Sequence, residues 1–411
     1  MDIIEVLYLS YDGMTDSLGK SQVLPYLVGL STKGFRITLI SFEKNNLLKK
    51  HKSQIEIITK NSDINWIPLI YTSKPPILST LWDIFRLKKT VRRLFKQNNF
   101  KIVHCRSYIT ALVGLWVKKK FDTRFLFDMR GFWVDERVEG NIWNLKNPIF
   151  SAIYKYFKRK ELTLLTNADY IISLTELAKD EIKSWEKFKN IDLKIAVIPC
   201  CADLKLFSKA NIKQNQLKSL RERLKIPENS FILSYVGSIG TWYLMKEMFD
   251  FFKLLLEQKK ESHFLIITHD NKTNIWNYVN DLAINSHNIT VVSADRTEVP
   301  YYIALSDYSI FFIKQVYSKK ASSPTKLGEI MGIGIPIICN SGIGDVDAIV
   351  NNSNCGFLIN NFTENEYLQV IDKIVHHFKF DEKDIINGAD NYFSLDKGIE
   401  KYYATYKELL Y

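Results

Sequence analysis

The sequence predicts an α/β protein of two doubly wound domains, and three observations lead to that prediction. Short β-branched runs alternate with helix-length segments over most of the 411 residues, which is typical of parallel sheets with helices on both faces. Each half opens with a strand-like run, a glycine-containing loop and a helix, as nucleotide-binding α/β halves do. A polar, basic stretch between Phe207 and Asn229 interrupts the alternation.

The predicted strands fall into two groups, one for each domain. They are EVLYLS, RITLISF, KIVHCR, RFLFD, YIISLT and KIAVIP before the polar stretch, and FILSYVG, HFLIITH, ITVVS, YSIFFI and IPIICN after it. We therefore predict one domain over residues 1–207 and a second over 208–393. Two such domains are expected to bind a ligand in a cleft between the carboxyl edges of their sheets.

The two opening loops carry the first candidate binding residues. The loop YDGMTDSLGKS contains Gly19 and Lys20, and the loop GSIGTW contains Gly237 and Gly240. Neither loop is a complete GxGxxG motif, so each one alone fits a turn that needs glycine equally well. As a pair in matching positions they favour a nucleotide-binding protein.

Composition and charge limit the class of protein. Apolar residues make up 46% and charged residues 25%, as in soluble globular proteins. The five cysteines form no CxxC pair, which argues against a disulfide framework and favours a reducing cytoplasm. We expect neither a signal peptide nor a membrane-spanning segment. The net charge of +11 fits an anionic partner or merely a lysine-rich surface, and no nucleic-acid-binding motif accompanies it.

Part of this charge lies in two basic amphipathic stretches, residues 81–100 and 149–162. The first alternates Trp82, Phe85 and Val91 with arginines and lysines. Such helices lie against acidic lipid headgroups in peripheral membrane proteins, but ordinary surface helices over a sheet have the same pattern. Both interpretations stay open at this point.

The segment SSPTKLGEIMGIGIPII, residues 322–338, combines several features that a plain core helix does not need. It predicts a helix over about 324–331, capped by a serine and ended by glycines before a strand. The start of that helix offers free N–H groups and the positive dipole end to a diphosphate. Lys326 is unfavourable there unless an anion is bound. Glu329 is expected on the same face, close enough to a ribose to accept its hydroxyls, although a surface Lys–Glu pair fits equally.

This segment resembles the donor site of glycosyltransferase family 4, whose members are retaining enzymes of the two-Rossmann architecture called GT-B. Further stretches are similar to the family in the same order: DSLGKSQVLPYLVGLSTKGFRITLISFEK, FDMRGFWVDERVEG, VIPCCADLKLF, YVGSIGTWYL, GIGDVDAIV and YFSLDKGIEKYYATYKELL. The resemblance implies two Rossmann-like domains facing across a cleft. It also implies that a C-terminal helix, residues 394–411, crosses back to complete the first domain.

The resemblance implies a role for each matching donor-side residue. Glu329 matches the second Glu of the family's Glu-x7-Glu pattern, which holds the donor ribose, and Lys326 matches a phosphate-side residue. The other expected donor contacts are Ser323, Pro324, Thr325, Gly237, Gly240 and Gly19. Ala321 stands where the family has its first, sugar-reading Glu, so hexose recognition would differ here or use neighbours such as Lys319 or Ser322. A basic pair that is common after the first strand of the donor domain is also missing, leaving Lys246.

In the first domain, Asp128 and Arg130 follow the predicted strand RFLF at a sheet edge where ligands bind. Together with Lys326 they are the expected catalytic residues, although a structural Asp–Arg pair would look the same in the sequence. The expected acceptor or sugar contacts are Lys20, His104, Asp135 and Glu136. A packed histidine and a solvated acidic loop are the alternatives for the last three.

The function that the resemblance implies is retaining, metal-independent transfer of a hexosyl unit from an NDP-sugar. The acceptor would be a glycan or a lipid-linked sugar in cell-surface polysaccharide biosynthesis, and no cofactor beyond the NDP-sugar co-substrate is expected. The expected location is cytoplasmic, at most peripheral on the inner face of the membrane. The alternatives are a non-catalytic nucleotide-sugar-binding protein, which Ala321 favours, and a GT-B nucleotide-sugar epimerase.

Overall fold

The computed structural model describes residues 3–410, and the chain divides into two units. The first unit extends to Cys200 and resumes at Leu395, whereas the second is Cys201–Ser394. This division falls slightly before the boundary expected after residue 207. The reason is local, because the N–H of Ala202 donates to the carbonyl of Phe393 at 2.8 Å.

The first unit is built on a parallel sheet of seven strands. They are β1 (Ile4–Ser10), β2 (Phe35–Glu43), β3 (Ile64–Ile70), β4 (Ile102–Arg106), β5 (Arg124–Asp128), β6 (Tyr170–Ser173) and β7 (Ile195–Val197). Their spatial order is β3-β2-β1-β4-β5-β6-β7, so the order reverses between β1 and β4. Ligands of open α/β sheets bind at such a reversal, at the carboxyl ends of the strands.

Helices cover both faces of this sheet, as its nearly continuous apolar strands require. They are α1 (Ser17–Gln22), α2 (Leu24–Ser31), α3 (Asn45–Asn61), α4 (Leu78–Leu94), α5 (Ser107–Phe121), α6 (Trp133–Glu139), α7 (Pro148–Asn167) and α8 (Glu176–Ser184).

The second unit repeats the design with a parallel sheet of six strands. They are β8 (Phe231–Val236), β9 (Ser262–Ile267), β10 (Ile289–Val292), β11 (Tyr308–Phe311), β12 (Ile337–Asn340) and β13 (Gly356–Ile359). The order β10-β9-β8-β11-β12-β13 again reverses beside the first strand, between β8 and β11. Its helices are α9 (Gln214–Arg223), α10 (Met245–Gln258), α11 (Thr273–Asp281), α12 (Val299–Ala304), α13 (Thr325–Gly332), α14 (Val346–Asn352), α15 (Glu364–Val375) and α16 (Glu382–Phe393).

The last helix, α17 (Leu395–Leu410), belongs to the first unit. It packs against α2, where Gly29 leaves room for Ile399: a Cβ at Gly29 would lie 2.3 Å from Ile399 Cδ1. The rings of Tyr26 and Tyr402 meet edge to face with centroids 5.4 Å apart. The predicted return of the C-terminal helix to the first domain is therefore confirmed.

All of the predicted strands form, and the two strands that were not predicted are edge strands. One is β3, which contains Pro68, and the other is β13, which begins at Gly356. Proline and glycine weaken the sequence signal of a strand, and sheets accommodate proline mainly at their edges. The five cysteines are free thiols.

Candidate functional site

The donor-side residues predicted from the sequence meet at the carboxyl edge of the second sheet. Gly237 follows β8 directly, and α13 begins at Thr325 with Pro324 at its N-cap. The N-cap residue is Pro324, which makes no side-chain hydrogen bond, so the N-cap is not one of the serines expected from the sequence. Ser323, Pro324 and Thr325 are each partly exposed at the helix start. The first turn of α13 can therefore offer backbone N–H groups to an anion.

Lys326 lies in that first turn and points into a group of aromatic rings. Its Nζ is 3.7 Å from the ring centre of Tyr243 and 4.5 Å from that of Tyr235, and it donates to the Tyr235 hydroxyl at 3.4 Å. No carboxylate of the described residues forms an ion pair with it. Burial lowers the pKa of Lys326 to about 7, and the negative charge of Glu329 opposes that fall. The site thus holds a buried lysine without an ion-pair partner among the described residues, and an anionic ligand would favour its protonated form.

Gly237 and Gly240 differ in what they do for this site. Gly237 has a φ of +137°, and a Cβ there would lie 2.5 Å from Lys326 Nζ. Glycine is therefore needed both for the backbone and for the space that Lys326 occupies. A Cβ at Gly240 would meet no atom within 4 Å. The loop is held by hydrogen bonds to its backbone, from Tyr235 to the Ser238 carbonyl at 2.5 Å and from Ile239 to Asp270 at 2.5 Å.

Glu329 is buried in α13, and its partner is not Lys326. Its Oε1 is 3.0 Å from Nη2 of Arg296, whose guanidinium also lies 5.1 Å from the ring centre of Phe207. Burial raises the pKa of Glu329, and Arg296 opposes that rise. The alternative of an exposed Lys–Glu pair is therefore excluded. Arg296 was missed because it precedes α12 in a stretch without a recognisable motif.

The position of the missing sugar-reading Glu is occupied by a buried side chain, Ala321. Of the two proposed substitutes, Lys319 is buried with its Nζ 3.6 Å from the ring centre of Trp242, and Ser322 is partly exposed. The N–H of Gly344 donates to the Lys319 carbonyl at 2.9 Å. A cation over an indole ring therefore lies two residues from the position where the family has a carboxylate.

In the first unit, Asp128 ends β5 and is fully buried. Its Oδ2 accepts from Tyr402 at 3.0 Å and lies 3.4 Å from His104 Nε2, while His104 Nδ1 is 2.8 Å from the Tyr406 hydroxyl. His104 is thus packed between β5 and α17 inside the unit. This is the packed alternative for His104 and leaves its ring no exposed edge for an acceptor.

Two arginines surround Asp128. Arg106 Nη1 is 3.9 Å from Asp128 Oδ2, and Arg106 Nε donates to Asp12 at 3.0 Å. Arg130, in the left-handed region with a φ of +57°, donates to Cys200 Sγ at 3.1 Å. Burial alone would raise the pKa of Asp128, but Arg130, His104 and Arg106 together hold it below its usual range. Burial lowers the pKa of His104, so the cluster contains an ionised Asp128 beside a neutral imidazole.

Two polar atoms of this cluster have no hydrogen-bond partner within residues 3–410. Asp128 Oδ1 and Arg106 Nη1 are buried, and neither has a hydrogen-bond partner among the described residues. A buried polar group without a partner is uncommon in proteins and calls for an explanation, of which a functional role is one. Both lie at the carboxyl ends of β4 and β5, next to the reversal of strand order. Arg106 and Asp12 were not identified from the sequence, because nothing in the order of residues shows that β1 and β4 are neighbours.

The predicted residues Gly19 and Lys20 lie on the loop-and-helix segment that follows β1. Gly19 is buried, and a Cβ there would lie 2.1 Å from the Gly13 carbonyl oxygen. Lys20 is partly exposed on the same loop-and-helix segment. The loop is anchored by Glu43, which accepts from the N–H of Met14 at 2.7 Å and of Thr15 at 3.0 Å.

Asp135 and Glu136 lie in the first turn of α6. Asp135 is buried and accepts from Tyr154 and from Lys158, each at 2.9 Å, so the solvated loop proposed as its alternative is not observed. Glu136 is partly exposed. Asp135 therefore ties α6 to α7, and its part in acceptor binding stays a prediction.

Residues 3–410 contain no group of three or more His, Cys, Asp or Glu side chains arranged to hold a metal ion. In the same residues, every helix is too short or too polar to cross a bilayer.

Comparison with known proteins identifies the family. The sequence model "Glycosyltransferase Family 4" matches residues 26–206, and the model "Glycosyl transferases group 1" matches residues 217–390. No curated protein sequence matches the chain significantly.

Solved structures match over nearly the full length. A glycosyltransferase from Rickettsia africae has 19% identity and a TM-score of 0.71, with 99% of both chains covered. The Anabaena protein Alr3699/HepE in complex with UDP-glucose has 12% identity and a TM-score of 0.69, covering 98% of this chain and 100% of its own. WaaG, a glycosyltransferase involved in lipopolysaccharide biosynthesis, has 13% identity and a TM-score of 0.63, covering 96% and 98%. These likenesses show the GT-B fold, and the two sequence models show that the chain belongs to the family 4 type of glycosyltransferases.

Proposed function

We propose that the protein is a retaining hexosyltransferase that uses an NDP-sugar and needs no metal ion or other cofactor. The observation that carries the proposal is Lys326: its amino group lies beside Gly237 in the first turn of α13 and forms no ion pair with a carboxylate of residues 3–410. A diphosphate supplies the missing negative charge, and the N–H groups at the start of α13 donate hydrogen bonds to its oxygens. Glu329, less than one turn further along α13 and paired with Arg296, would accept hydrogen bonds from the ribose hydroxyls.

The reaction needs positioning and charge stabilisation more than a protein nucleophile. The bond between the anomeric carbon and the β-phosphate oxygen breaks, and the acceptor oxygen forms its bond on the same face. The acceptor proton passes to the departing phosphate oxygen, so atoms and charge balance without a protein base. Lys326 and the start of α13 stabilise the negative charge that develops on the diphosphate. We propose that these groups do the work that a metal ion would otherwise do.

The first unit contributes its arginine–aspartate cluster to this proposal. Asp128 has no exposed surface, so we infer that it acts by holding Arg106 and Arg130 in place. Arg130 is partly exposed and is the group that we expect to reach the substrate. Lys20 and Glu136 are the remaining partly exposed candidates for acceptor contacts.

The biological setting is a further part of the proposal. We propose that the acceptor is a glycan or a lipid-linked sugar of a cell-surface polysaccharide, and that the enzyme works in the cytoplasm, peripheral on the inner face of the membrane. The similarity to WaaG supports the polysaccharide, the UDP-glucose complex of the Anabaena protein supports a nucleotide-sugar donor, and the net charge of +11 supports the membrane.

A second candidate is a nucleotide-sugar-binding protein without transferase activity, because Ala321 replaces the carboxylate that the family uses to read the sugar. Donor hydrolysis and sugar transfer distinguish this candidate from the transferase. We would incubate the protein with UDP-, GDP-, ADP- and dTDP-hexoses, with and without EDTA, and follow donor hydrolysis and transfer to acceptor extracts.

Slow hydrolysis that EDTA does not change, with the released or transferred sugar in the anomeric configuration of the donor, is the expected result. Donors that bind but are neither hydrolysed nor transferred would establish the binding protein instead. Conversion of one NDP-hexose into its epimer would establish the epimerase alternative.

A further inference from the structure

Helix α4 carries an exposed apolar stripe on its first two turns. Leu78, Leu81, Trp82 and Phe85 have 63%, 57%, 53% and 54% of their surface exposed. Their spacing of i, i+3, i+4 and i+7 places them on one face of the helix. The rings of Trp82 and Phe85 stack with centroids 5.6 Å apart, so they form one continuous surface.

The opposite face of α4 fixes its orientation. Asp83, Leu87, Val91 and Leu94 are buried against the rest of the first unit. The sequence had grouped Val91 with Trp82 and Phe85 in one amphipathic pattern, but the structure separates them. Val91 belongs to the inner face. Because this inner face is buried, the rotation of α4 about its own axis is fixed, and the apolar stripe faces outward.

The charges of α4 have a single sign wherever they are exposed. Lys89 and Arg93 continue the outer stripe along the last two turns, and Lys96 follows just after the helix; all three are exposed. Asp83 is the acidic residue of the helix, and it is buried while accepting from Tyr11 and Thr72. Lys88 and Arg92 add two more cations beside Trp116 of α5. The stripe is thus apolar at one end and purely cationic at the other.

The apolar end lies at the functional edge of the first sheet. α4 starts after the carboxyl end of β3. Its Asp83 accepts a hydrogen bond from the hydroxyl of Tyr11, which lies in the loop that follows β1. The same loop leads to Gly19 and Lys20. A surface bound to this stripe would therefore lie beside the edge that holds Asp128 and Arg130.

We propose that α4 docks the first unit on an anionic lipid bilayer. Leu78, Leu81, Trp82 and Phe85 enter the interfacial region, and Lys89, Arg93 and Lys96 face acidic headgroups. Tryptophan favours the interface of a bilayer, and clustered lysines and arginines bind acidic lipids. A protein partner fits less well, because protein interfaces are depleted of lysine at their cores. The inference rests on the proposed peripheral location and does not depend on the proposed transfer chemistry.

The test is sedimentation of the full-length protein with vesicles of phosphatidylcholine alone or mixed with phosphatidylglycerol. We expect binding to the mixed vesicles, weakened by salt. Trp82→Ser combined with Phe85→Ser should lower the partition coefficient about 10-fold or more. Lys89→Gln, Arg93→Gln and Lys96→Gln should each lower it about fivefold. The matched control is Ile149→Ser with Tyr156→Ser, which removes two similarly exposed apolar residues from the basic helix α7.

Retention of binding by the control, with the expected losses in the Trp82→Ser/Phe85→Ser variant and in the three glutamine variants, supports the docking surface. Equal binding to neutral vesicles, or full binding by the Trp82→Ser/Phe85→Ser variant, would overturn it. So would an α7 variant that loses binding while the α4 variant keeps it, or a concentration-dependent dimer that the α4 variant abolishes in the absence of vesicle binding. Donor affinity should be unchanged in every variant, which separates this outcome from a failure of the proposed transferase activity.

Discussion

The ammonium group of Lys326 is held by aromatic rings, and this sets its response to pH. In the unfolded chain a lysine has a pKa of about 10.4, whereas burial lowers that of Lys326 to about 7. Between these values the unfolded chain binds more protons than the folded protein. The free energy of unfolding contributed by Lys326 therefore rises with pH from about 7 to about 10 and is lost as the pH falls through that window.

A bound diphosphate should reverse this effect. Its negative charge raises the pKa of Lys326, so at pH 8 nucleoside diphosphate binding should take up as much as about one proton. Calorimetric titration in two buffers with different ionisation enthalpies measures that uptake. Lys326→Met should abolish it, and Lys260→Met, at an exposed lysine just after α10, should leave it unchanged. Binding without proton uptake in the unaltered protein would contradict the assignment of Lys326 to the phosphates.

Glu329→Ala should weaken the NDP-sugar by about 10-fold or more while the protein stays folded. Hydrogen bonds to a charged group contribute about 1.5–3 kcal/mol, which sets the size of the loss. The partner left behind, Arg296, is nearly half exposed at 46%, so water can solvate its charge. Calorimetric affinity and a thermal melt measure both quantities. Glu257→Ala, at an exposed position of α10, is the control, and unchanged affinity in Glu329→Ala would remove Glu329 from the donor site.

Among individual residues, the sequence predicted the site residues that belong to a helix start or to a recognisable motif. Lys326 and Glu329 were identified because an acid and a base occupy known places in one short helix. Arg296 and Tyr243 were not, because each reaches the site from a separate element. Their contacts, 3.0 Å to Glu329 and 3.7 Å to Lys326, exist only after the sheet has formed.

Among the structural elements, the loop after β8 offers a matched pair of substitutions. Gly237→Ala imposes a side chain at a φ of +137° and 2.5 Å from Lys326 Nζ, whereas Gly240→Ala meets no atom within 4 Å. We expect Gly237→Ala to cost about 1–3 kcal/mol of stability and to weaken the donor, because Lys326 must move. Gly240→Ala should change neither by more than about 0.5 kcal/mol. Equal effects in denaturant unfolding and donor titration would show that the loop does not depend on this contact.

The elements also show where prediction from sequence ends. Central strands such as β1 and β4 were predicted correctly because they are largely buried and most of their residues are apolar or β-branched. The edge strands β3 and β13 carry Pro68 and Gly356 and have a weaker pattern. Helix α13 was predicted almost to its ends, but its N-cap is Pro324 and not a serine, because local signals define a boundary only to a residue or two.

At the scale of the whole molecule, the second unit is one continuous stretch of chain, whereas the first unit is made of two separate stretches. Cys201–Ser394 contains a complete sheet and its own core, so we expect this fragment to unfold cooperatively and to bind a nucleoside diphosphate. A fragment ending at Cys200 lacks α17, which buries Ile399, Tyr402, Tyr406 and Leu409 in the first unit. Four such side chains contribute about 6–12 kcal/mol, comparable to the whole stability of a domain.

The shorter fragment should therefore lack a cooperative transition in circular dichroism. A variant in which residues 395–411 are fused before residue 3 through a flexible linker should restore it. Cooperative unfolding of the fragment without α17, at the midpoint seen for the full chain, would show that the helix is dispensable for the fold.

The position of α17 at the far end of the chain has a consequence for protein synthesis. Domains usually fold in the order in which they leave the ribosome. Here the first unit cannot close around His104 and Asp128 until Tyr402 and Tyr406 have been translated, after all of the second unit. The half that is begun first is thus finished last, and only a polypeptide read through to its final helix acquires the buried arginine–aspartate cluster.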